Sequence, residues 1–118
     1  MNCIKYILKG DHMNNNVEAI EVFKALSNDA RLKILFWLKD PEANFGTERQ
    51  VPEEMHETGV CVSVIRDKLE MTQSTTSQYL SVLQRAGLVD ATRIGKWTYY
   101  KRNEEKIKAI SEFLAQDL

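Results

Sequence analysis

Cysteine, histidine and proline occur only twice each in the 118 residues, and glycine only five times. Cys3 and Cys61 are too few for a disulfide framework, which fits a reducing cytoplasm. His12 and His56 are too few for a site built from several imidazoles. No cluster of glycines forms a phosphate-cradling loop. The longest unbroken apolar run, Ile34 to Leu38, is far shorter than the roughly 20 residues of a membrane span, so no membrane partner is expected. Lys5 and Lys9 break the apolar stretch near the start, so no secretory signal is expected. What remains is ordinary: 43% hydrophobic and 28% charged residues, the balance of one globular domain.

Net charge is −1, but its distribution is uneven. Arg85, Arg93, Lys96, Lys101, Arg102, Lys106 and Lys108 face only Asp90, Glu104 and Glu105 in residues 85–108. A basic segment in an otherwise acidic chain is the asymmetry of a face that meets a polyanion, although a solvated face produces the same count. Residues 40–58 are the opposite, with Asp40, Glu42, Glu48, Glu53, Glu54 and Glu57 against Arg49. Bracketed by Pro41 and Pro52, they read as an acidic loop insertion that points away from any nucleic acid.

Hydrophobic spacing supplies the elements. Residues 1–16 read as an N-terminal extension, with weak helical spacing at Ile4, Ile7 and Leu8. Val17, Ile20, Phe23 and Leu26 mark an amphipathic helix over 17–27. Asn28 caps a second helix to about Lys39, apolar nearly all round and therefore expected to be central and buried. A short strand at Val60–Val62 precedes a helix over about 62–70, and another helix follows from Ser74 to Ala86, stopped by Gly87. Leu88–Ile94 and Trp97–Arg102 form a hairpin around Gly95-Lys96, with Tyr99 expected in its core. Asn103 caps a last helix whose stripe is Ile107, Ile110, Leu114 and Leu118.

The helix over 74–86 is unlike an ordinary surface helix. Thr76, Leu80 and Leu83 form its inward stripe, whereas Ser74, Ser77, Gln78, Ser81, Gln84 and Arg85 form the opposite face. Exposed helices normally use Glu, Lys and Ala. From Met71 to Ala86 there is no acid at all. Hydroxyls and amides without negative charge are what base edges and phosphate oxygens accept. A short helix, a tight turn, this polar helix and a basic hairpin describe a winged helix-turn-helix, mainly α with a small β-hairpin. Thr72, Gln73, Ser74, Thr75, Ser77, Gln78, Ser81, Arg85, Arg93 and Lys96 are the candidate DNA-binding residues.

The motifs carry a resemblance. Ala25-Leu26-Ser27-Asn28-Asp29-Ala30-Arg31-Leu32-Lys33-Ile34-Leu35 resembles the A-L-x-[DN]-P-x-R-L-x-I-L opening of the ArsR/SmtB repressors, with Asp29 where proline is usual. Thr72-Gln73-Ser74-Thr75-Thr76-Ser77-Gln78-Tyr79-Leu80 resembles their S-Q-S-T-V-S-H-H-L segment. Leu83 to Val89 and Gly95 to Tyr100 are similar to their L-x-x-A-G-L-V and wing motifs. The resemblance covers residues 17 to about 114 and implies a dimeric, cytoplasmic bacterial repressor, nucleoid-associated when on DNA. Its first and last helices would pair across a two-fold axis, with Val17, Ile20, Ile107, Ile110 and Leu114 at the interface and the 1–16 extension beside it. The operator implied is an inverted repeat in double-stranded DNA.

Family members commonly respond to metals or thiol chemistry. Where one family metal site has C-V-C-D, this chain has Cys61-Val62-Ser63-Val64, and residues 103–118 lack the histidines of the other. Cys61, Cys3 and His56 are therefore weak metal candidates, Cys61 and Cys3 are candidate thiol sensors, and no cofactor is expected. Cys61 between Val60 and Val62 reads slightly better as packing, and the effector is not legible. Cys61 and His56 make a poor nucleophile–base pair, so no enzyme is expected. The serious rival is a winged-helix protein-interaction module without DNA binding.

Overall fold

A computed structural model describes residues 16–46 and 57–118, with the side chains of Asn16 and Val17 excepted. The expectations at Cys3, His12, His56, Pro52, the 1–15 segment and the Val17 side chain lie outside the described residues.

Helix α1 (Asn16–Leu26) and helix α2 (Asp29–Lys39) are joined by a sharp turn. Asn28 Oδ1 accepts from the Arg31 backbone N–H at 3.0 Å, closing the start of α2 as its sequence suggested. Arg31 then reaches back. Its Nε donates to the Ala25 carbonyl at 2.6 Å and its Nη2 to the Lys24 carbonyl at 3.1 Å. The arginine of the opening motif thus bonds carbonyls of the last turn of α1, the Lys24 carbonyl accepting from the Ser27 N–H as well.

Helix α2 corrects the expectation of burial all round. Ala30, Ile34, Leu35 and Leu38 are buried, but Phe36 is 66% exposed and Leu32 40% exposed. In so small a fold one side of α2 suffices to meet α1, the later helices and the sheet. Trp37 is half-covered, by Lys68 Nζ 5.0 Å from its ring and by the edge of Phe45. The acidic loop is also shorter than expected at its start. Asp40 caps a short helix α3 (Pro41–Phe45), with Pro41 at a first-turn position where its missing N–H costs nothing.

Strand β1 (Val60–Cys61) leads directly into helix α4 (Val62–Leu69), and helix α5 (Gln73–Arg85) follows a three-residue turn. Strands β2 (Val89–Ile94) and β3 (Trp97–Arg102) form the hairpin, and helix α6 (Glu104–Gln116) closes the described chain. The antiparallel sheet has the order β1-β3-β2, with Val60 opposite Tyr100 and Ile94 opposite Trp97. Gly59 is required beside it, because a Cβ there would lie 2.6 Å from the Tyr100 carbonyl oxygen.

The core joins Val22, Ile34, Val60, Ile65, Leu80, Leu83, Leu88 and Val89, each essentially inaccessible. Tyr100, rather than half-buried Tyr99, is the buried hairpin aromatic. Ile110, expected at the interface, packs inward. It is 6% exposed and belongs to the chain's own core. Two helices across a short turn with a hairpin alongside make this a winged helix-turn-helix.

Candidate nucleic-acid interface

The start of α5 is built by its own side chains. Thr72 Oγ1 accepts from the Thr75 N–H at 3.1 Å and lies 3.0 Å from Thr75 Oγ1. Both threonines therefore serve first as the cap of α5. The turn before it places Glu70 at φ 58°, a left-handed conformation in which its N–H caps α4 through the Arg66 and Asp67 carbonyls. The end of α5 is a Schellman closure. The Gly87 N–H donates to the Gln84 carbonyl at 2.9 Å and the Leu88 N–H to the Leu83 carbonyl at 3.0 Å. Leu83 and Leu88 are fully buried behind it, which explains the L-x-x-A-G-L spacing physically.

Between these ends the two faces separate as the spacing indicates. Thr76, Leu80 and Leu83 are buried, while Ser74, Ser77, Gln78, Ser81, Gln84 and Arg85 are all exposed. Gln73 is exposed too, but its Oε1 accepts from Arg66 Nη1 at 2.9 Å. Arg66 was not among the candidate residues. Its place one helix earlier, seven residues from Gln73, gives no periodic signal in the sequence.

The positive charge is more localised than the count over residues 85–108 suggests. Lys101 Nζ donates to the Glu57 carbonyl, Arg102 forms a two-pronged pair with Glu104, and Lys106 pairs with Glu18. These three cations have partners within the fold. Arg85, Arg93 and Lys96 remain exposed on α5 and the hairpin tip and Lys108 on α6, with Arg93 Nε steadied by the Gly95 carbonyl at 3.1 Å. Ile94 and Trp97, paired beside the tip, are 51% and 43% exposed, so Trp97 is not hairpin core.

Cys61 is 8% exposed, with its Sγ 3.3 Å from Ser63 Oγ inside the core. Among the described residues no three His, Cys, Asp or Glu side chains gather as a metal cluster.

A family model for bacterial regulatory proteins of the arsR family matches residues 57–91, the span of β1, α4, α5 and the start of β2. A Bacillus subtilis (strain 168) protein named as an uncharacterized HTH-type transcriptional regulator, YbzH, is 57% identical over 102 residues. The match takes in 86% of this chain and 100% of that one. The chain belongs to the arsR family. It is also 31% identical over 113 residues to the transcriptional activator HlyU of Vibrio cholerae, covering 91% of this chain and 89% of HlyU. Among solved structures, the homodimeric winged helix-turn-helix DNA-binding domain of Mb0332 from Mycobacterium bovis matches with a TM-score of 0.58 and 26% identity. That match covers 83% of this chain and 76% of the other. As an arsR-family member the chain is a transcriptional regulator with a DNA-binding fold, not an enzyme.

Within this arsR-family fold, α1 and α6 lie side by side and run the same way. Glu18 pairs with Lys106 near their starts, and further along the Phe23 and Phe113 ring centroids are 6.3 Å apart. On these helices Ile20 and Leu114 are 50% and 47% exposed, and Leu118 beyond α6 is 76% exposed. Ile107 is half-buried against the core.

Proposed function

We propose that the chain is a homodimeric repressor that binds an inverted-repeat operator in double-stranded DNA. The observation that carries this reading is the acid-free, uniformly exposed polar face of α5. A cap of hydroxyls and a Schellman closure hold that face rigid, and rigidity is what base readout requires. Gln73 and Gln78 are assigned to base edges, and Ser74, Ser77 and Ser81 to bases or phosphates. Thr72 and Thr75 hold the helix start against the DNA backbone. Arg85, Arg93 and Lys96 supply the phosphate contacts that fix register.

The dimer reading is supported by the exposed Ile20 and Leu114 on adjacent helices and the exposed Leu118 beyond α6, and the interface is assigned to them with Val17 and Ile107. Exposed apolar side chains on these two helices are well accounted for by a second copy, which doubles the recognition helix and imposes two-fold symmetry on the operator. Such a regulator works in the bacterial cytoplasm, on the nucleoid. Cys61 is assigned to core packing, so mild oxidation is expected to leave DNA binding unchanged in the wild type and in Cys61→Ser alike.

Binding-site selection from randomised duplexes tests the central assignment. The expected product is two half-sites in inverted orientation, about 10 base pairs or a multiple apart. An unenriched pool would instead favour a winged-helix interaction module. A promoter-fusion assay then reads the sign of regulation. Increased expression on adding the protein would align it with the named activity of HlyU and overturn the repressor assignment.

A further inference from the structure

Arg66 belongs to α4, outside the exposed face of α5, yet it touches the first residue of that helix. Its Nη1 donates to Gln73 Oε1 at 2.9 Å. Its opposite edge is held by Asp67, with Nε and Nη2 at 3.0 and 2.9 Å from the same Asp67 Oδ1. The guanidinium is therefore braced on one side and delivers a single donor to the amide on the other. Its side chain is 30% exposed, more sheltered than Asp67 at 46%. Both Arg66 and Gln73 sit at the end of the helix-turn-helix where recognition-helix N-termini approach base edges.

An unconstrained glutamine offers an acceptor and a donor together, and that pair matches adenine N6 and N7. Arg66 removes the symmetry of choice. A charged donor on Oε1 fixes which end of the amide is oxygen, competes with any base amino group for that oxygen, and polarises the amide so that Nε2–H donates more strongly. What Gln73 then presents is a donor. Guanine has two acceptors on its major-groove edge, whereas adenine sets its own N6 donors against the amide.

We propose that Arg66 is a specificity-determining positioning residue, which makes Gln73 read an acceptor-rich base, guanine, in place of adenine. The inference deepens the operator-binding assignment and rests on it. Arg66 acts through Gln73, and Asp67 sets the angle from which it acts.

The test is binding-site selection with the full chain, comparing wild type, Gln73→Ala, Arg66→Ala and the double variant. The position that loses its preference in Gln73→Ala is the one that Gln73 reads. Wild type is expected to prefer guanine there by about tenfold, the size of one good base-edge contact. Arg66→Ala is expected to move the preference to adenine at that position alone, and the double variant to show no preference. A uniform loss of affinity in Arg66→Ala with base ranking unchanged would mean that Arg66 serves stability or a phosphate, and the inference falls. Wild-type preference for adenine, or no position altered in Gln73→Ala, overturns it while a symmetric motif leaves operator binding standing. No motif from wild type removes both.

Discussion

Thr76 is the residue whose chemistry fits its place least well. It is completely buried on the inner face of α5, and its hydroxyl has no hydrogen-bond partner among the described residues. The sequence motif it occupies has valine at this position in the pattern that the chain resembles. Thr76→Val keeps the shape and removes an unpaired polar atom, so it is expected to stabilise the fold by about 1 kcal/mol. A urea melt measures this directly, and an unchanged or lower midpoint would mean that the hydroxyl is satisfied in solution. Gly59 makes the opposite case. A methyl group there meets the Tyr100 backbone at 2.6 Å, on a residue already at φ 103°. Gly59→Ala is expected to cost roughly 2–3 kcal/mol, through overpacking and backbone strain together. A melt indistinguishable from wild type would contradict the close approach. Neither residue announced its constraint in the sequence. Thr76 was legible as inward-facing from spacing alone, but an unpaired hydroxyl and a clash with a strand 41 positions away are matters of three-dimensional contact.

Elements were more legible than contacts, and the reasons are physical. Caps are local: Asn28, Thr72 and Asn103 each bond a backbone N–H three residues on, so the residue type at the boundary carries the signal. The period of α5 separated its faces correctly because the outward stripe is wholly polar and the inward one holds Leu80 and Leu83, with Thr76 in register beside them. In α2 the same method overstated burial, because an apolar residue is not obliged to be inside; Phe36 is plainly outside. Ile110 shows the related difficulty, since periodicity places a side chain on a face but does not say whether that face meets its own core or a partner. Charge counts were diluted in a similar way by Lys101, Arg102 and Lys106, which bond within the fold. The wing prediction therefore narrows to its tip. Lys96→Ala is expected to weaken binding to all sequences alike and to reduce the slope of log affinity against log salt by about one. A loss confined to some sequences would assign Lys96 to bases instead. On α5, Gln78→Ala is expected to relax preference at one position by about 1–3 kcal/mol, read as relative affinities for operator variants. Equal loss on every variant would contradict base contact.

At the scale of the molecule, the described residues offer one polar recognition helix, and the proposed dimer would pair it with a second by symmetry. Ile20 on α1 and Leu114 on α6 are exposed within the chain, as is Leu118 beyond α6. Leu114→Asp sets a charge there without touching the core, so sedimentation is expected to show a monomer that is still helical. An intact dimer would remove α6 from the interface. The assembled molecule should then grip two half-sites at once, and specificity should exceed what one helix provides. The most direct measurement is fluorescence anisotropy at physiological salt on the selected inverted repeat and on a scrambled duplex of the same composition. An affinity ratio of about 1,000 or more in favour of the repeat is expected of a specific regulator. A ratio near one, with both affinities falling together as salt rises, would show that the polar face of α5 reads no bases and would contradict the account.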